Sequence, residues 1–144
     1  MNRASIERVA LWSVRMTLAG VLAYAGWAKL QSPQLFTATI AKLQMVPFPW
    51  AEWVGSTVAV AEMLTAGWLL CGVRRRAAAL AVMCLASVFV GAMAQALARG
   101  LDLDCHCFGA TGSPLPIAWV IVRALAVLVA STFLWMRSRP GALS

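Results

Sequence analysis

Four apolar runs, each long enough to cross a lipid bilayer, divide this chain and leave only short polar or basic segments between them. A span needs roughly 17–25 residues, because each helical residue advances about 1.5 Å through about 30 Å of hydrocarbon. The runs occupy about residues 9–29, 51–72, 77–98 and 116–136. With 62% apolar and 12% charged residues, the chain departs from a soluble domain, which averages about 45–50% apolar and about 25% charged. The same balance excludes disorder, which needs low hydrophobicity. The expected fold class is an all-α membrane protein: a four-transmembrane-helix bundle filling residues 1–144 as one domain, with no repeat or low-complexity tract.

The first run is interrupted by Arg15, and Ala23-Tyr24-Ala25 imitates a signal-peptidase site after a basic leader. Uninterrupted apolar sequence extends only from Met16 to Leu22, the short end of the roughly 7–15 residues of a signal-peptide core. A retained helix is therefore expected, with Arg15 snorkelling toward the face of Arg3 and Arg8.

The net charge of +7 would suggest nucleic acid only if the basic residues clustered on a solvated domain. Here seven of the twelve Lys/Arg fall in the N-tail (Arg3, Arg8), the second connection (Arg74, Arg75, Arg76) and the C-tail (Arg137, Arg139). Short positive loops stay in the cytoplasm, so both termini are expected there, with the first and third connections outside and no nucleic-acid partner. Trp50, Trp53, Trp119 and Trp135 lie near span ends, as in an interfacial aromatic belt.

In the first outer connection, Ser32-Pro33 reads as an N-cap followed by proline at the first helical position. Leu35, Phe36, Ile40 and Leu43 then recur at near-helical spacing up to Pro47 and Pro49. This predicts either a short helix on the outer leaflet or a packed re-entrant loop. The second outer connection carries Asp102, Asp104, Cys105, His106 and Cys107, the chemically richest stretch of the chain. Cys71 and Cys84 lie within spans, where a thiol behaves as a small apolar residue. Cys105 and Cys107 are expected on the oxidising side, one residue apart. A disulfide between them would close a very small ring and restrain little chain, which suits a labile redox bond better than a structural staple. His106, when protonated, would favour the thiolates and Asp104 would oppose them. A Cu(I) or Zn site using Cys105, His106 and Cys107 is the alternative, although Cys-x-Cys is tighter than usual zinc spacing.

Glu62 falls about twelve residues into the second span, near mid-bilayer, and Arg123 about seven into the fourth. Intramembrane charges are costly and mark function or interhelical pairing. Arg123 and Lys29 are rival partners for Glu62. Two readings follow: an ion pair that fixes the bundle, or a polar pocket beneath the cysteine loop that holds a quinone head group or relays protons. Gly20, Gly55 and Ala59 offer close helix contact.

Several segments resemble the MauE branch of the MauE/DoxX membrane proteins. They are Ala25-Gly26-x-x-Lys29-Leu30 at the close of the first span, Ala61-Glu62 in the second, Arg99-Gly100 before Asp104-Cys105-x-Cys107-Phe108-Gly109, and Arg123 in the fourth. The resemblance covers nearly the whole chain. It implies a redox-associated protein of the bacterial inner membrane, multi-pass, with the Cys-x-Cys loop on the periplasmic side. It also implies a separate thioredoxin-like periplasmic partner of the MauD kind and an exported disulfide-containing substrate, as in maturation of methylamine dehydrogenase. Relatives in the broader group are associated with thiosulfate and quinone chemistry. Two positions depart from the expected pattern: His106 stands where Gly is expected, and Ala124 follows Arg123 where Asn is expected.

The combined expectation is a membrane thiol–disulfide oxidoreductase with Cys105 and Cys107 as catalytic residues, His106 and Asp104 as redox-tuning residues, and Lys29, Glu62 and Arg123 as an intramembrane polar site. The residues demand no cofactor, and the one this reading allows is a membrane quinone. The alternatives are a Cu/Zn carrier or sensor and a non-catalytic assembly subunit.

Overall fold

The structure, a computed structural model, describes residues 2–101 and 116–138. Five helices follow one another: α1 (Arg3–Gln31), α2 (Pro33–Lys42), α3 (Phe48–Cys71), α4 (Arg75–Ala98) and α5 (Ile117–Arg137). Among the described residues there is no strand. All but α2 are long and apolar enough to cross a membrane, and they overlie the four runs expected from sequence. The largest difference is at the start of α1, whose extra turns carry Arg3, Glu7 and Arg8. At 29 residues this helix is about 43 Å long, more than the hydrocarbon requires.

The long helices alternate in direction. The start of α1, the end of α3, the start of α4 and the end of α5 therefore gather at one basic end, around Arg8, Gly72, Arg75 and Arg137. The opposite end holds α2 and the connection leaving Leu101. Packing is most extensive between α1 and α3 and between α4 and α5, with thinner contacts of α3 on α4 and of α1 on α5. The bundle is thus two helix pairs joined along a seam.

Its packing is inverted relative to a soluble protein. Half of the buried apolar residues are alanines, such as Ala19, Ala59, Ala79 and Ala96, while Trp53, Leu64, Val88 and Val129 are each about 70% exposed. Such side chains each gain about 1.5–3 kcal/mol on leaving water, so this surface is built for lipid. Small interior residues in turn allow the close helix approach that stands in for hydrophobic drive inside a bilayer. Gly26 is the tightest such point: a Cβ there would stand 2.9 Å from Met63 Cγ and 3.1 Å from the Ala59 carbonyl oxygen. Gly20, expected to make a helix contact, has nothing within 4 Å and faces outward.

The first connection forms a helix rather than an irregular loop. Proline sits in the first turn of α2, as expected, but Ser32 makes no side-chain capping bond. Phe36, Thr39 and Ile40 are buried, with Phe36 and Ile40 clustered on Ala51 of α3. The apolar stripe of α2 is therefore spent on the bundle. Pro49, expected to lie before the span, is in the first turn of α3, where its missing N–H costs nothing.

Two turns depend on glycine. Gly100, at φ +66°, closes α4: the Gly100 N–H donates to the Leu97 carbonyl, and the Leu101 N–H donates to the Ala96 carbonyl. This is the Schellman pattern, which satisfies the last carbonyls of a helix. Gly72, at φ +70°, ends α3 in the left-handed conformation.

Candidate functional site

Lys29 and Glu62 form a buried ion pair between α1 and α3. The Lys29 ammonium donates to both Glu62 carboxylate oxygens at 2.6 Å, and the two residues are only 4% and 8% exposed. Helix geometry explains the meeting. Gly26, one turn before Lys29, brings α1 against Ala59 and Met63, the stretch of α3 that carries Glu62, within reach of the long lysine side chain. The sequence left Arg123 and Lys29 as rival partners, and the geometry selects Lys29.

Aromatic rings close the pair off. The Lys29 Nζ lies 5.0 Å from the centre of the Phe36 ring on α2 and 6.0 Å from that of Phe89 on α4. A ring face is an electrostatic partner for an ammonium that has lost its water. The sequence pointed to Phe36 only as part of an apolar stripe and did not point to Phe89, since an apolar residue at helical spacing reads as packing. The only available signal was the position of Phe36 on the apolar face of α2.

Beside the pair lies a cavity of about 100 Å³ along the seam. Lys29 and Glu62 form its polar wall on one side, and Phe89, Val120, Arg123 and Ala124 reach it from the other helix pair. Arg123 is half-buried and interacts electrostatically with Tyr24 of α1. Small Ala124, at a position where a larger polar residue was expected, leaves space in this wall. A cavity needs only about 10–15 Å³ of such space to hold a water. Lys29, Glu62 and Arg123 thus line one cavity, two as a direct pair and Arg123 on a separate wall.

The chain between α4 and α5 leaves and re-enters the bundle close above this cavity. Leu101 and Ile117 both pack on the cluster of Leu43, Met93, Ala96 and Val120, and Val120 itself lines the cavity. Arg99 ties this end to α2 by donating to the Leu43 carbonyl at 3.5 Å. Asp102, Asp104, Cys105, His106 and Cys107 lie outside the described residues, and so do the disulfide and metal readings that rest on them. Among the described residues no three His, Cys, Asp or Glu side chains converge on a metal position. Cys71 and Cys84 are unbridged and sit on the lipid-facing surface of the bundle.

At the basic end the sequence had pointed only to orientation and snorkelling. Arg15 does turn toward Arg8, and both line a cleft, which Arg3 does not. The Arg15 guanidinium comes so close to the end of α3 that a Cβ on Gly72 would stand 3.1 Å from its Nη1.

Comparison with known proteins agrees with this architecture. The profile of the MauE family, described as methylamine utilisation protein MauE, matches residues 7–137. Methylamine utilization protein MauE of Paracoccus denitrificans is 28% identical over 139 residues, covering 96% of this chain and 74% of that protein. No solved structure matches the chain. A four-span bundle whose matched region takes in the Lys29–Glu62 pair, Arg123 and the cysteine-bearing connection thus belongs to the MauE family of multi-pass membrane proteins related to methylamine utilisation.

Proposed function

We propose that the protein is a thiol–disulfide exchange protein of the bacterial inner membrane, a single membrane domain whose Cys105 and Cys107 cycle between disulfide and dithiol on the periplasmic side. What supports this reading is a Cys-x-Cys pair in a connection whose described flanks, Leu101 and Ile117, pack beside a buried polar cavity. Both flanks pack on the cluster that contains Val120, and Val120 lines the cavity together with Arg123. Family membership adds a setting in methylamine utilisation.

The chemistry balances as a two-electron exchange. A thiolate of a thioredoxin-like partner attacks the Cys105–Cys107 disulfide, forming a mixed disulfide and releasing one thiolate. The second partner thiol then resolves it, leaving the partner oxidised and both cysteines reduced. Protonated His106 would stabilise the departing thiolate, and Asp104 would oppose it. Regeneration of the disulfide passes two electrons and two protons to a membrane quinone. The exported protein that finally receives the disulfide is, on this reading, of the methylamine dehydrogenase type.

The test is a trap. Cells carrying Cys105→Ser or Cys107→Ser are quenched with acid and alkylated, and mixed disulfides are isolated through a tag on this protein. One of the two variants is expected to accumulate a covalent adduct with an exported thioredoxin-like protein. Absence of any adduct in both, with the partner's thiols as oxidised as in wild type, overturns the proposal.

A further inference from the structure

The basic end holds a cleft of about 860 Å³. Arg8, Arg15, Arg74, Arg75, Arg76 and Arg137 line it, and no carboxylate does. These arginines come from α1, the α3–α4 turn, α4 and α5, so four separate segments converge on one space. The turn is built to present them: Gly72 and Arg74 both adopt left-handed backbone, at φ +70° and +46°. The Trp68 indole N–H pins the turn by donating to the Val73 carbonyl at 2.8 Å.

Orientation in a membrane requires positive charge in these connections but does not require a shared cleft. Nor is the charge internally neutralised. Arg137 reaches Glu7 at 3.4 Å, outside the lining, and Arg76 stacks 4.8 Å from the Trp135 ring. Arg15, Arg74 and Arg75 have no ion pair among the described residues. The Arg15 Nε is buried without any hydrogen-bond partner, which costs free energy unless a ligand supplies an acceptor. Most of the rest of the lining is apolar or aromatic, and its Trp12 and Leu80 are exposed on the surface that lipid chains cover. An occupant must therefore be anionic at one end and apolar at the other.

We propose that this cleft binds one acidic phospholipid, its phosphate held by Arg15 with Arg75 and Arg76 and its acyl chains laid along Leu11, Trp12 and Leu80. Guanidinium groups suit this role because they give paired hydrogen bonds to phosphate oxygens. Free phosphate would satisfy the arginines alone and leave the apolar wall unused. This site is independent of the cysteine chemistry.

The experiment uses delipidated full-length protein in a neutral maltoside detergent. It is titrated with dioleoyl phosphatidylglycerol, dioleoyl phosphatidylcholine or inorganic phosphate, and bound molecules are counted by native mass spectrometry. Phosphatidylglycerol is expected to bind at one site. Arg15→Gln/Arg76→Gln is expected to weaken it about tenfold or more, the scale of two lost arginine–headgroup contacts. Arg3→Gln/Lys42→Gln removes the same charge away from the cleft and is expected to leave binding within about twofold, since distant exposed charges are screened. Arg75→Gln breaks no hydrogen bond or ion pair within the described residues and is expected to weaken the lipid severalfold while leaving thermal unfolding unchanged. Equal binding of the two lipids, equal losses in the two double variants, an unchanged Arg75→Gln, or inorganic phosphate binding as tightly as phosphatidylglycerol would each overturn the proposal.

Discussion

The two ends of this bundle handle buried charge in opposite ways. Around Lys29 the protein supplies everything that an ammonium without water needs: a carboxylate at 2.6 Å and two aromatic rings. Around Arg15 it brings cations together and supplies no counter-charge from the cleft wall. The first arrangement is closed and self-sufficient, while the second is complete only with something from outside. The difference teaches that a charge within a span does not announce its role by its type. What surrounds it decides whether it fixes the fold or waits for a ligand.

The sharpest way to break this comparison is to orphan the lysine. Glu62→Leu leaves a buried ammonium without its partner and is expected to destabilise the bundle by about 3–5 kcal/mol, read from unfolding by denaturant in micelles. Lys29→Met/Glu62→Leu removes both charges and is expected to recover most of that loss, because an apolar pair of similar volume is often as stable as the ion pair. A double variant as unstable as the single one would show that the pair does more than neutralise itself.

A smaller effect is expected from Gly72→Ala at the opposite end. A side chain at φ +70° costs about 1–2 kcal/mol, and this one would also press on the Arg15 guanidinium. Gly20→Ala is the matched control. Its site is open, and replacing a helical glycine there is expected to stabilise the protein by up to about 1 kcal/mol. Thermal unfolding of the two variants in one detergent separates them by sign. The smallest effect belongs to Glu7→Gln. The Glu7–Arg137 pair is half-exposed on both sides, and such pairs contribute about 0–1 kcal/mol. Its loss is expected to shift the unfolding midpoint by no more than a degree or two on that scale. A large shift would mean that the basic end depends on the Glu7–Arg137 ion pair.

The fold was legible because a bilayer imposes a length and a polarity on every segment that crosses it, and both can be read residue by residue. That is why the four spans match α1, α3, α4 and α5 to within a few residues at most ends. The short helix α2 was also visible, through Pro33 and the spacing of Phe36 and Ile40. What it packs on was not, because an amphipathic stripe looks the same whether it faces lipid or Ala51. The three intramembrane polar residues were found from their cost in hydrocarbon, which needs no knowledge of the fold. Choosing Lys29 over Arg123 as the partner of Glu62 required the depth at which α1 meets α3, and that is set by the close approach at Gly26. Gly20 shows the converse: a glycine within a span signals close packing only if it faces a neighbour. The cleft of arginines was hidden because its members are scattered over 130 positions of sequence, from Arg8 to Arg137, and each had a sufficient local explanation in membrane orientation.

The division of the bundle into two tightly packed pairs bears on how the inner cavity can change size. Lys29 and Glu62 belong to the same pair, α1 with α3, whereas Arg123, Phe89 and Ala124 belong to the other. Sliding one pair past the other along the thin seam would alter the distance between these walls without stretching the ion pair or unpacking Gly26 from α3. Such a shear of whole helices would carry the Lys29–Glu62 pair intact on α1 and α3 and change what faces it across the seam, including Phe89.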